Sequence, residues 1–222
     1  VDMANNTLGG IEGVSGEVYN VENVTTGAGA DNVIGNADAN IIITNDGTDT
    51  LYGGAGDDSL DGGNQRDLAD YSAHSTDIDV DLTSTDYSVV DGNTDTDTLS
   101  NIEDLRATTH DDTFRVDVSQ LAGMSGNNTY DGHTGSDIVR AGGNALFEIT
   151  DFASVFTNIE ELDITGVDKD GLSGNGHDLI FDVAVSDIVA MLGAASGTFT
   201  LTLKDGMTLD QAQITEDAGY TI

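Results

Sequence analysis

Cysteine, proline and tryptophan are absent from all 222 residues. Without cysteine no disulfide can staple the fold and no thiol chemistry is open to the chain, so stability in an oxidising compartment has to come from another source. Positive charge is scarce too: 6 Lys+Arg stand against 41 Asp+Glu, a formal charge of −35. Contact with nucleic acid or an anionic membrane surface is therefore repulsive, and cations are the natural partners. No apolar run approaches the roughly 20 residues that a membrane-spanning helix needs. The opening VDMANNTLGG has neither a basic n-region nor an apolar core of the kind a cleavable signal peptide carries, and because it does not begin with Met we expect a piece of a longer chain. Catalytic signatures are missing as well. No H-E-x-x-H, G-x-S-x-G or P-loop occurs, and the Gly-apolar-Ser-Gly elements at 13–16, 123–126 and 171–174 lack the spacing of a nucleophile elbow. Enzyme chemistry is not expected.

What is there is a period. Residues 26–70 read TGAGADNVI, GNADANIII, TNDGTDTLY, GGAGDDSLD, GGNQRDLAD, five consecutive nonapeptides without insertion. The sixth position is Asp31, Asn40, Asp49, Asp58 and Asp67, and the eighth is Val33, Ile42, Leu51, Leu60 and Ala69. A G-x-G-x-D turn bends sharply because glycine accepts positive φ, leaving carbonyl oxygens and a carboxylate on one concavity. Gly27, Gly29, Asn45, Gly47, Gly54, Gly56 and Gly63 are the turn residues of this kind, and hard oxygen donors suit calcium. The residues after each turn form a short strand with one inward aliphatic, so two nonapeptides close a coil of eighteen residues and turns on the same side stack two units apart. Asp31, Asn40 and Asp49 then share calcium with Asp49, Asp58 and Asp67, about three ions in all. One aliphatic per nonapeptide is too thin a core to offset the ordering of its backbone, and this is the reason a metal is needed.

The fourth unit, Gly53 to Asp61, matches G-G-x-G-x-D-x-U-x throughout, where U is a large apolar residue. This resembles the hemolysin-type calcium-binding repeats of the RTX family, the parallel β-roll modules of bacterial proteins exported by type I secretion. The resemblance implies an all-β fold, a calcium-stabilised parallel β-roll or β-solenoid, here with a β excursion and a C-terminal capping segment containing one short helix.

Along the chain, residues 1–72 read as lead-in strands and a first repeat block. Residues 73–100 read as a β excursion, with Ile78, Val80 and Leu82 alternating with aspartates, Tyr87 to Val90 as partner strand and Asp91-Gly92-Asn93 as exit turn, where a solenoid can also carry a binding loop. Residues 101–150 form a second, degenerate block. Asp112, Asn128 and Asp137 hold its sixth positions and Phe114, Tyr130 and Val139 its eighth, after an insertion of seven residues. Lost glycines and the Asn make its sites poorer, with one or two ions expected. In the capping segment, 151–222, Asp178 and Ile180 sit in one further nonapeptide, Ser186 caps a short helix, Phe199, Leu201 and Leu203 alternate as a strand, and a second strand is expected near Leu209 to Ile214. N-[VI]-E-x-[VL] recurs at Asn20, Asn101 and Asn158, marking an internal repeat.

Of the histidines, His110 and His133 replace turn glycines and read as exposed turn residues rather than zinc ligands. The pairs Asp57-Asp58 and Asp111-Asp112 fall in repeat register, which explains them as calcium ligands and their neighbours better than as a glycosidase pair. The resemblance implies a secreted, cell-surface module of a large adhesin, a monomer whose partners are calcium ions, the type I secretion machinery and the adhesin's remaining domains. The same repeats appended to a secreted lipase, protease or epimerase, a ligand-binding solenoid and an S-layer subunit remain open. Ice binding is disfavoured, since Thr26, Thr44, Thr48 and Thr50 do not recur at eighteen in a long run.

Overall fold

The computed structural model describes residues 1, 21–84, 86–92, 94–124, 128–143, 152–167 and 200–202. The lead-in contributes β1 (Asn23–Thr25), and each of the five nonapeptides contributes one three-residue strand: β2 (Asn32–Ile34), β3 (Ile41–Ile43), β4 (Thr50–Tyr52), β5 (Ser59–Asp61) and β6 (Leu68–Asp70). Successive strands alternate between two sheets, so each pairs in parallel with the strand one coil on: Val33 opposite Leu51, Ile42 opposite Leu60, Leu51 opposite Ala69. That register is the eighteen-residue coil. In a strand of three residues only the middle side chain points inward. Accordingly all five eighth-position residues of this block are buried, none more than 1% exposed. The fold is the all-β parallel roll that the period implies.

The excursion departs from expectation in where it goes. Strands β7 (Ile78–Asp81), β8 (Tyr87–Asp91) and β9 (Thr96–Ser100) form an antiparallel meander that stays within the sheet. β9 pairs in parallel with β5, and β7 pairs in parallel with β11 (Thr113–Asp117). Three strands thus lie between β5 and β11 in the ten-stranded sheet, where the six-stranded sheet has only β10 (Asp104–Arg106) between β6 and β12 (Thr129–Asp131). The alternation explains the insertion: Ile78, Val80, Leu82, Val89 and Leu99 are all buried, on the face the roll already buries.

The interior changes character beyond this point. The first block is filled by one aliphatic per strand, whereas Phe114, Tyr130, Phe152 and Phe156 are fully buried and in mutual contact, with ring centroids 5.5 Å apart for Tyr130 and Phe156 and 5.7 Å for Phe114 and Phe156. Aromatic rings bury far more area per residue, so this part leans less on its turns. The seven-residue insertion, 116–122, completes β11 and leads through a turn into one turn of helix, α1 (Leu121–Met124), whose Leu121 and Met124 are buried. No helix was expected there, and Gly123, the first residue of the Gly-apolar-Ser-Gly element at 123–126, lies in it. The strand register survives the insertion, for Leu105 pairs with Tyr130 and Phe114 with Val139. Strands β13 (Ile138–Gly143), β14 (Phe156–Thr157), β15 (Glu161–Val167) and β16 (Thr200–Thr202) extend the two sheets, and β16 contains the expected strand residue Leu201. Asp178, the helix from Ser186 and the strand near 209–214 lie outside the described residues.

Candidate metal centre

The sixth-position residues stack along the two edges of the roll, and each carboxylate holds the backbone of the coil before it. The N–H of Asp31 donates to Asp49 Oδ1 at 2.7 Å and that of Asp49 to Asp67 Oδ1 at 2.8 Å. On the other edge Asn40 donates to Asp58 Oδ1 at 2.7 Å and Asp58 to Asp97 Oδ1 at 2.8 Å. Beyond the meander the N–H of Ile78 donates to Asp112 Oδ1 and that of Asp112 to Asp137 Oδ1, both at 2.8 Å. The short side chain and the eighteen-residue register together bring each carboxylate within reach of one N–H, and that bond uses one of its two oxygens.

The other oxygen is the informative one. Oδ2 of Asp49, Asp58, Asp67 and Asp137 is buried with no hydrogen-bond partner, on residues between 0% and 3% exposed. For Asp58, Asp67 and Asp137 burial raises the carboxyl, the ladder bond pulls down against it, and nearby carboxylates push up again: Asp58 to about 7, Asp67 to about 6 and Asp137 to about 8. A buried carboxylate with an unpaired oxygen is expensive unless a proton or a cation meets it. Hard oxygen donors fit a calcium ion. Among the described residues no three His, Cys, Asp or Glu side chains converge on one metal position, so a cation here would need peptide carbonyls beside the carboxylates. The turns supply them at close range. A Cβ on Gly54 (φ 111°) would lie 1.9 Å from the carbonyl oxygen of Asn36, and one on Gly63 (φ 88°) 2.0 Å from that of Asn45, so glycine is required at both.

The remaining predicted positions fall as follows. Asp31 is half-buried, its N–H on Asp49. Asn40 is buried, but its carboxamide is engaged within its own turn, accepting from the Asn36 N–H at 2.8 Å and donating to Asn36 Oδ1 at 3.3 Å. Gly27 and Gly29 are exposed in the first turn. Asn45 is left-handed (φ 65°) and its Nδ2 donates to the Thr26 carbonyl at 2.6 Å. Gly47 packs against the Gly29 carbonyl and Asp49 Oδ1, and Gly56 is left-handed at φ 93°. Asp112 joins its column, with Thr108 on its carboxylate. Asn128 does not stand beside Asp137. It directs Nδ2 to the Tyr130 hydroxyl at 2.9 Å, and the column neighbours of Asp137 are Asp112 and Glu160. Asn128 is therefore no reason to rank the Asp137 site as poor.

Three ladder residues escaped the repeat template. Glu103 accepts the Asp67 N–H at 3.0 Å, Glu160 accepts the Asp137 N–H at 2.8 Å, and Asp97 takes that of Asp58. The signal for the first two was the N-[VI]-E-x-[VL] motif. Its Asn is the left-handed fourth residue of a turn (Asn101 φ 51°, Asn158 φ 55°), its Glu the sixth and its Leu105 or Leu162 the buried eighth. Asp97 is followed two residues later by buried Leu99, but of the turn glycines only the first-position Gly92 precedes it, with Asn93 and Asp95 where the second and fourth positions of a full repeat carry glycine. Among the histidines, His110 is exposed and His133 is left-handed at φ 71°. The His74 side chain is buried 3.9 Å from the Asp91 carboxylate, and burial lowers its pKa.

Comparison with known families gives one match. The model for the RTX calcium-binding nonapeptide repeat (4 copies) matches residues 21–51, 34–69 and 121–145, which takes in the first block and, in the second, the Asn128 and Asp137 turns. No curated protein matches the chain.

Proposed function

This chain carries the calcium-binding nonapeptide repeats of the RTX family, and on that premise we propose that it is the calcium-dependent folding and stability module of a large adhesin exported by type I secretion. The observation that supports this reading is the set of buried, unpartnered carboxylate oxygens on Asp49, Asp58, Asp67 and Asp137. Those carboxylates, with Asp31 and Asn40 at the column heads and the carbonyls of the glycine turns, hold the calcium ions. A bound ion supplies positive charge and oxygen coordination where the chain itself supplies only anions and dipoles.

The rest follows from linkage. Between coils the carboxylates recur at the strand spacing of about 4.8 Å and repel one another. The unfolded chain is free of this strain because its carboxylates are dispersed in water. Calcium binds the stacked turns and not the dispersed ones, so it shifts the equilibrium toward the roll by mass action. Extracellular calcium modules bind at roughly 10⁻⁴ to 10⁻³ M, which puts the transition between cytosolic and external calcium. A chain that stays expanded inside and compacts outside is threaded in one direction. The role is structural and non-catalytic, and the roll acts as a monomer among the adhesin's other domains. The test is the hydrodynamic radius in chelator and in millimolar calcium. We expect an expanded chain in chelator and a compact one in calcium; equal compactness in both would show a self-sufficient fold that the metal only decorates.

A further inference from the structure

Six sixth-position aspartates accept a ladder bond, and they differ in what meets the second oxygen. On Asp49, Asp58, Asp67 and Asp137 nothing does. On Asp97 the hydroxyl of Tyr71, itself buried, donates to Oδ2 at 2.8 Å. On Asp112 the backbone N–H of Thr108 reaches Oδ2 at 2.9 Å and its hydroxyl lies 2.9 and 3.0 Å from the two oxygens. Both exceptions belong to the meander's ends, Asp97 as the second residue of β9 and Asp112 on the N–H of Ile78 at the start of β7. The turn ahead of Asp97 also differs, because the Gly56 N–H crosses to Asp95 Oδ2 at 3.0 Å and closes the gap between turns directly.

We propose that Asp97 and Asp112 mark metal-free steps of the ladder, where the hydroxyls of Tyr71 and Thr108 meet the carboxylate oxygens that elsewhere face a calcium ion. The meander is then fastened into the roll by hydrogen bonds alone, and Tyr71 and Thr108 set which turns take metal. The inference rests on the calcium reading above. Its physical basis is that a hydroxyl donor and a cation satisfy the same need of a buried carboxylate, and the donor is built into the chain. A tyrosine hydroxyl in hydrogen-bond contact also fills the space next to the oxygen that an ion would have to enter.

The discriminating variant is Asp97→Asn in the full chain. Asparagine keeps the oxygen that accepts the Asp58 N–H and offers an amide N–H to the tyrosine oxygen, which can reverse its role and accept. An amide in place of Asp58, one step along the same column, has lost the charge an ion needs. Equilibrium dialysis should count as many calcium ions on Asp97→Asn as on the wild type, with the midpoint of calcium-induced compaction moved by less than about threefold. Asp58→Asn should lose at least one ion and move the midpoint by roughly tenfold or more. Loss of an ion by Asp97→Asn, or failure of that variant to become compact at saturating calcium, would overturn the proposal while leaving the calcium reading intact. A wild-type chain that binds no calcium would remove both.

Discussion

Take away calcium and the buried carboxylates must choose between a charge and a proton, and the choice shows in the pH dependence of the fold. Asp58, Asp67 and Asp137 have an ordinary carboxyl pKa of 3.8 when unfolded and about 7, 6 and 8 when folded. The folded state therefore holds protons that the unfolded state releases, and stability falls as pH rises from about 4 through the folded values. At about 1.36 kcal/mol per pKa unit, ionising each in place costs on the order of 3–6 kcal/mol; coupling along the columns and water entering between turns reduce the sum. Even reduced, that rivals the whole stability of a domain, about 5–15 kcal/mol. Metal-free protein should accordingly show more β signal and a smaller radius at pH 5.5 than at pH 7.5, the lower value being kept above the pI of 4.1 so that the chain stays soluble. Calcium at pH 7.5 should restore what acid does, and its binding near pH 6.5 should release protons, measurable as a buffer-dependent heat. A metal-free chain more ordered at pH 7.5 than at 5.5, or calcium binding without proton release, would refute the assignment of these carboxylates as the metal-bearing groups.

Other outcomes follow from single positions. Magnesium at equal concentration should leave the chain expanded, because it requires a tighter octahedron than turns of carbonyls and carboxylates provide; an equal gain of circular dichroism with magnesium would argue against these turns as the binding site. Asp49→Ala and Asp137→Ala should lower the melting temperature to a similar extent at matched, limiting calcium, since both residues are fully buried with a free oxygen; a much milder Asp137→Ala would reinstate a weaker second block. Gly54→Ala should destabilise by more than about 2 kcal/mol, combining positive φ with a clash on the Asn36 carbonyl, and urea melts in saturating calcium measure it. Gln65→Gly should stabilise by about 0.5–1 kcal/mol in the same assay, because Gln65 stands at φ 83°, where a side chain is strained.

The periodic part of this molecule was legible because one physical constraint repeats there. A turn, an Asx and an inward aliphatic recur at nine, and the pairing of Val33 with Leu51 or Ile42 with Leu60 follows from closing two units into a coil. The meander was legible as strands and not as topology. Alternation in Ile78, Val80 and Leu82 says that one face is buried, but which strand it joins is decided by the pairing of β7 with β11 and of β9 with β5, and both partners lie far away in the chain. Site residues divided in the same manner. Aspartates after glycine-rich turns in unbroken register could be named from the period, whereas Asp97 reaches the ladder by returning through an antiparallel strand and follows a turn with Gly92 as its single glycine. Glu103 and Glu160 lay within a motif whose recurrence was visible, but an added methylene put them outside the Asp/Asn pattern, and only the left-handed Asn101 and Asn158 reveal the shared register.

The meander also changes how the molecule would respond to being pulled. In the first block each strand is held by a neighbour eighteen residues along, so peeling from the end frees coils of 18 residues, about 60 Å of contour at full extension for each. Where Ser59 pairs with Thr98 the next coil is 39 residues long, and its two antiparallel strands must also unzip before about 130 Å are released together. A tether made this way lengthens in short even increments and then meets a single long one. A load arriving from the N-terminal side is dissipated coil by coil before it reaches the aromatic half of the roll.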